Sequence, residues 1–216
     1  MFKKAREASN LPPFKVNMKL ETIDPLCLSS IRVATVGKIL KNNYLMIRID
    51  GAEENDMFCY HRSSPGIFPA GFCQNNNLKL HPPYGYQGVF TWEKYLKDTK
   101  SEFAPVDSFL NSSSKKNPFV KGMKLESVDL MEPKMICVAT VSAVVDRLIL
   151  LSFDGWDNQF DQWVDCESCD IYPAGWAKMV GYPLEEIKKS EPETNVPKTK
   201  RARKATAASV TGTKKK

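Results

Sequence analysis

One pattern occurs twice in this chain of 216 residues. Asn17-Met18-Lys19-Leu20-Glu21-Thr22-Ile23-Asp24 returns as Gly122-Met123-Lys124-Leu125-Glu126-Ser127-Val128-Asp129, 105 positions later. Ile31-Arg32-Val33-Ala34-Thr35-Val36 returns as Ile136-Cys137-Val138-Ala139-Thr140-Val141 at the same spacing, and Ile67-Phe68-Pro69-Ala70-Gly71-Phe72 returns as Ile171-Tyr172-Pro173-Ala174-Gly175-Trp176 at 104. Three blocks in one order with a single gap residue mean two copies of one structural unit.

Each copy reads as β-structure. Val33 to Val36 and Val138 to Val145 are apolar and rich in β-branched residues; Tyr44 to Ile49 and Leu148 to Phe153 follow, each running into Asp-Gly, a turn signal. Short strands joined by tight turns suggest a small barrel. A core of about 65 residues is marginal alone, so the copies are expected to pack on each other or on their linker. The expectation is a mainly β chain of two tandem small barrels joined by a partly helical arm. The divisions are 11–80 for the first repeat, 81–183 for the second with its arm, and 184–216 for a disordered basic tail.

The linker from about Asn75 to Pro118 is rich in aromatics, unlike a flexible tether. Thr91 reads as a helix N-cap, and Trp92, Tyr95 and Leu96 share one helical face. The linker is therefore read as an arm clasped against a barrel.

Charge separates body from tail. The chain has 31 basic and 25 acidic residues, but eight of the basic ones lie between Pro197 and Lys216, where no acid occurs. Taking eight from 31 leaves 23 basic against 25 acidic residues. A mildly acidic body argues against a basic nucleic-acid groove and suits a basic peptide. Lys200-Arg201-Ala202-Arg203-Lys204 matches a nuclear-localisation or nucleic-acid patch, or is simply solvated. No apolar run approaches the length of a membrane span, and no apolar segment follows the basic N-terminus as in a secretory signal. The six cysteines are read as thiols. Cys166-x-x-Cys169 stands without the further ligands that zinc needs. No phosphate loop, metal cluster or nucleophile–base pair points to an enzyme, and no cofactor is expected.

The combination of Met-Lys-Leu-Glu-x-Val/Ile-Asp, Val-Ala-Thr-Val, Phe-Asp-Gly-Trp-Asp and Ile-Tyr-Pro-Ala-Gly-Trp resembles malignant-brain-tumour (MBT) repeats, relatives of Tudor and chromo barrels. The resemblance covers residues 11 to 183. It is greatest to the last two repeats of the lethal(3)malignant-brain-tumour-like and MBT-domain-containing proteins. It implies a barrel with an N-terminal helical arm, nuclear localisation and a chromatin role. The stretch before Phe14 lacks the Phe-Thr-Trp-Glu-Lys-Tyr-Leu of Phe90 to Leu96, so the first copy is expected to lack its own arm and the chain to be a fragment or a shortened relative.

By the family motif, Phe153, Trp156 and Phe160 are the walls of an aromatic cage and Asp129 is the acid that meets the ammonium. The chemistry fits. A methylated ammonium is bulky and poorly hydrated, and aromatic faces attract it. A carboxylate takes the remaining N–H of a mono- or dimethyl ammonium; a trimethyl ammonium has none. The implied partners are histone tails with lower methylation states and chromatin complexes, with room for a weak nucleic-acid contact through the tail and none for a membrane. The implied role is chromatin regulation such as transcriptional repression; the alternative is a non-catalytic scaffold without a working cage. Taken without the family, such rings in a small barrel are more often core. In the first copy Ile49, Ala52 and Asp56 stand where the three rings are, so that copy is expected not to bind. Glu132 is left out of the cage, and Trp163, Trp176, Asp154 and Asp157 are read as structural.

Overall fold

The computed structural model describes residues 11–109 and 116–185. Residues 1–10, 110–115 and 186–216 lie outside the described residues, and with them the basic tail and most of the stretch before Phe14 in which an arm was not expected. The chain forms two curled antiparallel sheets built on one plan. In the first copy β1 (Lys19–Asp24), β2 (Cys27–Ile39), β3 (Tyr44–Ile49), β4 (Met57–His61) and β5 (Ile67–Phe68) run in the order β4-β3-β2-β1-β5, with β6 (Leu80–His81) added in parallel to β2. In the second, β7 (Lys124–Val128), β8 (Ile136–Val145), β9 (Leu148–Phe153), β10 (Gln162–Asp165) and β11 (Ile171–Pro173) run β10-β9-β8-β7-β11.

The repetition extends to irregularities. The β2–β3 register shifts between Val36 and Lys38, and the β8–β9 register between Val141 and Ala143. An extra residue in one strand bends it and increases its twist, which lets a long strand serve both sides of a small curled sheet. After β5 and β11 come short helices, α1 (Phe72–Asn75) and, later in the chain, α3 (Trp176–Val180). A buried glutamate ties each to its sheet. Glu21 accepts the Gly71 and Cys73 N–H groups at 2.7 and 2.8 Å; Glu126 accepts those of Gly175 and Ala177 at 2.7 Å each. Buried carboxylates persist only where such donors meet them.

The helix expected in the linker is α2 (Trp92–Thr99), preceded by Thr91 in extended conformation. Thr91 makes no side-chain capping bond. Trp92, Tyr95 and Leu96 form its half-buried face. The arm lies on the first barrel: Trp92 Nε1 donates to Glu21 at 3.0 Å and the Tyr95 hydroxyl to Asp50 at 2.6 Å. The Lys19 N–H donates to the Glu102 C=O, and the Ala104 N–H to the Lys19 C=O. The arm thereby pairs with the edge of β1 at Lys19, and all six residues of the strand are buried.

A third cluster joins the copies. Ile23, Ile31, Phe68 and Cys73 of the first pack with Leu148 and Trp163 of the second. This meets the expectation that cores this small lean on one another, and it gives Trp163 a structural place. Trp176 also has one, stacked on Tyr172 with centroids 3.9 Å apart.

Candidate functional site

β9 delivers Phe153 to the end of the second sheet, opposite Ala139. There the chain turns: the Trp156 N–H donates to the Phe153 C=O at 3.1 Å, and Gly155 adopts φ 79°, a conformation that favours glycine. A 3₁₀ turn over Asn158–Phe160 follows, with the Phe160 N–H on the Asp157 C=O at 3.0 Å. The spacing of the three rings thus belongs to a strand end, a turn and a short 3₁₀ segment, not to a helix face.

Phe153 is 4% exposed, while Trp156 and Phe160 are half-buried. All three belong to one apolar cluster. Trp156 and Phe160 meet edge to face, with centroids 5.5 Å apart and planes at 76°, an arrangement favoured by ring quadrupoles. The turn is braced from behind. Asp154 accepts the Thr140 hydroxyl and the Lys124 ammonium, each at 2.6 Å. Asp157 precedes the 3₁₀ turn and its carbonyl serves Phe160. Burial raises the Asp161 carboxyl above the usual carboxylate range, opposed by the Ser152 hydroxyl at 2.8 Å.

Asp129 lies beyond the end of β7, half-exposed. Its backbone N–H donates to the Met135 C=O at 3.0 Å, and its Oδ1 accepts the Met131 N–H at 2.9 Å. The loop therefore closes on itself, and Leu130 and Met135 pack against the cluster that holds the three rings. Burial and the nearby Asp129 charge raise the Cys137 thiol to about 11. Among the described residues, the side-chain hydrogen bond of Asp129 is the one made by Oδ1. Glu132 is in the same loop, ion-paired with Lys134 at 3.0 Å on the surface.

One positioning residue escaped the sequence reading. Gln162, 1% exposed, accepts the Leu130 N–H at 3.0 Å and donates to the Val128 C=O at 2.8 Å. It comes two residues after Phe160 and grips the loop on both sides of Asp129. A glutamine between an aspartate and a tryptophan carries no motif that marks it. Also unforeseen is a cavity of about 660 Å³ between the barrels, lined by Ile23, Leu28 and Tyr60 on one side and Leu130, Met131 and Trp163 on the other.

In the first barrel Ile49 is 2% exposed, Ala52 packs on the core, and Asp56 is exposed. None supplies a ring. The cysteines are free thiols, and among the described residues no cluster of His, Cys, Asp and Glu is grouped to hold a metal. No described helix is long and apolar enough to cross a membrane.

The model of the MBT repeat matches residues 18–87 and again 123–191. The chain belongs to the MBT-repeat family. It is 54% identical over 176 residues to human MBT domain-containing protein 1, covering 80% of this chain and 28% of that protein. It is 52% identical over 177 residues to the Polycomb protein Sfmbt of Drosophila melanogaster, covering 80% of this chain and 14% of the other. The MBT chain thus spans less than a third of these relatives. A crystal structure of the four MBT repeats of Drosophila melanogaster Sfmbt, in complex with the peptide RHR(me)KVLR, superposes with a TM-score of 0.76 at 50% identity. That match covers 80% of this chain and 41% of that one.

Proposed function

We propose that the second repeat binds mono- and dimethylated lysine of histone tails in an aromatic cage, and that the protein acts in the nucleus as a chromatin regulator, as in transcriptional repression. The observation that carries this reading is the conjunction at one end of the second sheet. Phe153, Trp156 and Phe160 share a cluster, and a neighbouring loop presents Asp129 with one oxygen engaged by Met131. The methylated peptide bound by the Sfmbt repeats supports the same ligand class. The rings attract the alkylated cation; the other carboxylate oxygen takes the remaining N–H. Each cation–π contact contributes about 2 kcal/mol when desolvated, and the charged hydrogen bond about 1.5–3 kcal/mol. Desolvation and ordering of the peptide offset much of that. A net near −5 kcal/mol corresponds to a dissociation constant of roughly hundreds of micromolar, so targeting would draw on avidity.

The test is calorimetric or NMR titration of the chain with one lysine peptide in four methylation states. Binding is expected for the mono- and dimethyl forms, weakened about tenfold or more by Asp129→Asn and lost with Trp156→Ala. Binding indifferent to methylation, or an unaffected Trp156→Ala, would overturn the reading. The cavity between the barrels favours the scaffold reading as the second. Its mark would be a protein partner that still binds after Asp129 and Phe153 are both replaced.

A further inference from the structure

Asp24 and Asp129 are equivalent residues of the two copies, and they are held alike. Asp24 Oδ1 accepts the Leu26 N–H and Asp129 Oδ1 the Met131 N–H, each at 2.9 Å. The same short turn therefore engages one oxygen of each carboxylate. Their fates differ. Asp24 is fully buried, and its Oδ2 accepts Arg32 Nε at 2.8 Å and the Tyr84 hydroxyl at 2.6 Å. The Arg32 guanidinium carbon lies 4.1 Å from the Tyr84 ring centroid, and Arg32 Nη1 donates to the Pro82 C=O at 3.3 Å. Acid, ring and cation are all present, and all come from one chain.

The position of Tyr84 completes the parallel. Its N–H donates to the Asp50 C=O at 2.8 Å. Its backbone runs so close to Gly51 that a Cβ there would sit 2.3 Å from the Tyr84 carbonyl oxygen. Asp50-Gly51 is the counterpart of Asp154-Gly155, the turn that carries Trp156. The second barrel takes its ring from that turn; the first takes one from the linker laid across it. Arg32, the cation, has Cys137 as its counterpart, a side chain too short to carry a charge to Asp129.

We infer that the first barrel contains a guanidinium-binding site whose resident ligand is its own Arg32, so that it is closed to an arginine side chain from outside while Arg32 remains in place. A planar guanidinium suits the site better than an ammonium. It can stack on the tyrosine while its edge serves both a carboxylate and a carbonyl. Removing it would strand a buried carboxylate, which is costly, and so creates demand for a replacement cation.

The experiment uses the full chain with Trp156→Ala, which silences the proposed cage, and ethylguanidinium as the probe. Adding Arg32→Ala is expected to make the chain bind ethylguanidinium at least about tenfold more tightly than its Arg32 parent. NMR shifts should be confined to the surroundings of Asp24 and Tyr84, and Tyr84→Ala should abolish the gain. Arg32→Cys, copying the second barrel, is the alternative variant. If neither folds alone, refolding in ethylguanidinium supports the inference, and failure to refold overturns it. Folded variants that respond no more than the parent also overturn it, and equal or tighter binding of dimethylammonium overturns the guanidinium assignment. None of these outcomes bears on the methyl-lysine reading, which concerns Asp129 and is tested with Arg32 intact.

Discussion

Gln162 holds Asp129 in place without touching its carboxylate. Its amide bonds the backbone on either side, at Val128 and Leu130, and it follows Phe160 by two residues. One buried side chain thus couples the acid's loop to the segment that carries the rings. Gln162→Ala takes the acceptor from the Leu130 N–H, which costs about 1–3 kcal/mol where water cannot replace the bond, while the Val128 C=O keeps the Ser127 hydroxyl. The expected outcome is a destabilised chain, read by urea unfolding, that also binds dimethyl-lysine peptide more weakly under conditions where it remains folded. Unchanged affinity would remove Gln162 from the positioning role.

Trp163 joins the barrels. It sits 6% exposed in a cluster with Ile23, Ile31 and Phe68 of the other copy. Trp163→Ala is expected to cost about 3–5 kcal/mol. Denaturation followed by two probes, one in each barrel, should change from coincident to separate transitions. Coincident transitions in the variant would mean that the remaining contacts suffice to couple the copies.

Tyr84 should leave a signature at high pH. Burial, with the Asp24 hydrogen bond and charge, raises its hydroxyl from 10.0 to about 12. The folded state therefore holds this proton more tightly than the unfolded state does. The stability it contributes is fully present below pH 10 and declines as pH rises toward 12. Comparing unfolding free energies of the natural chain and Tyr84→Phe across that window checks this. The difference between them should shrink with rising pH, and a constant difference would refute it.

The cysteines should divide by reactivity. Burial raises the Cys73 and Cys137 thiols, with the Glu21 and Asp129 charges adding to it, and both side chains are buried. Cys59 and Cys169 are exposed. Since the thiolate is the reactive form, iodoacetamide at neutral pH should label Cys59 and Cys169 first and leave Cys73 and Cys137 unmodified in the folded chain. Mass spectrometry resolves the order. Early labelling of Cys137 would mean that its buried surroundings in the second barrel open.

Much of this molecule was legible in its residues. The duplicated blocks predicted two copies of one unit, and the Asp-Gly turns with β-branched runs predicted their principal strands. The linker's aromatics predicted an arm clasped on a barrel. Phe153, Trp156, Phe160 and Asp129 could be named as candidates because a family motif marks them, and the absence of rings at Ile49, Ala52 and Asp56 followed from aligning the first copy with the second. These are local properties or comparisons along the chain, and periodicity and turn chemistry carry them. Three features were decided only by the tertiary structure: Gln162 reaching across to the Asp129 loop, Trp163 bridging two cores, and Arg32 meeting Asp24 beneath Tyr84. Each depends on groups brought together from separate strands or from the linker. A hydrogen bond or a ring contact acts over a few ångströms in space, whatever the separation in sequence, so folding alone determined which partners these side chains would have.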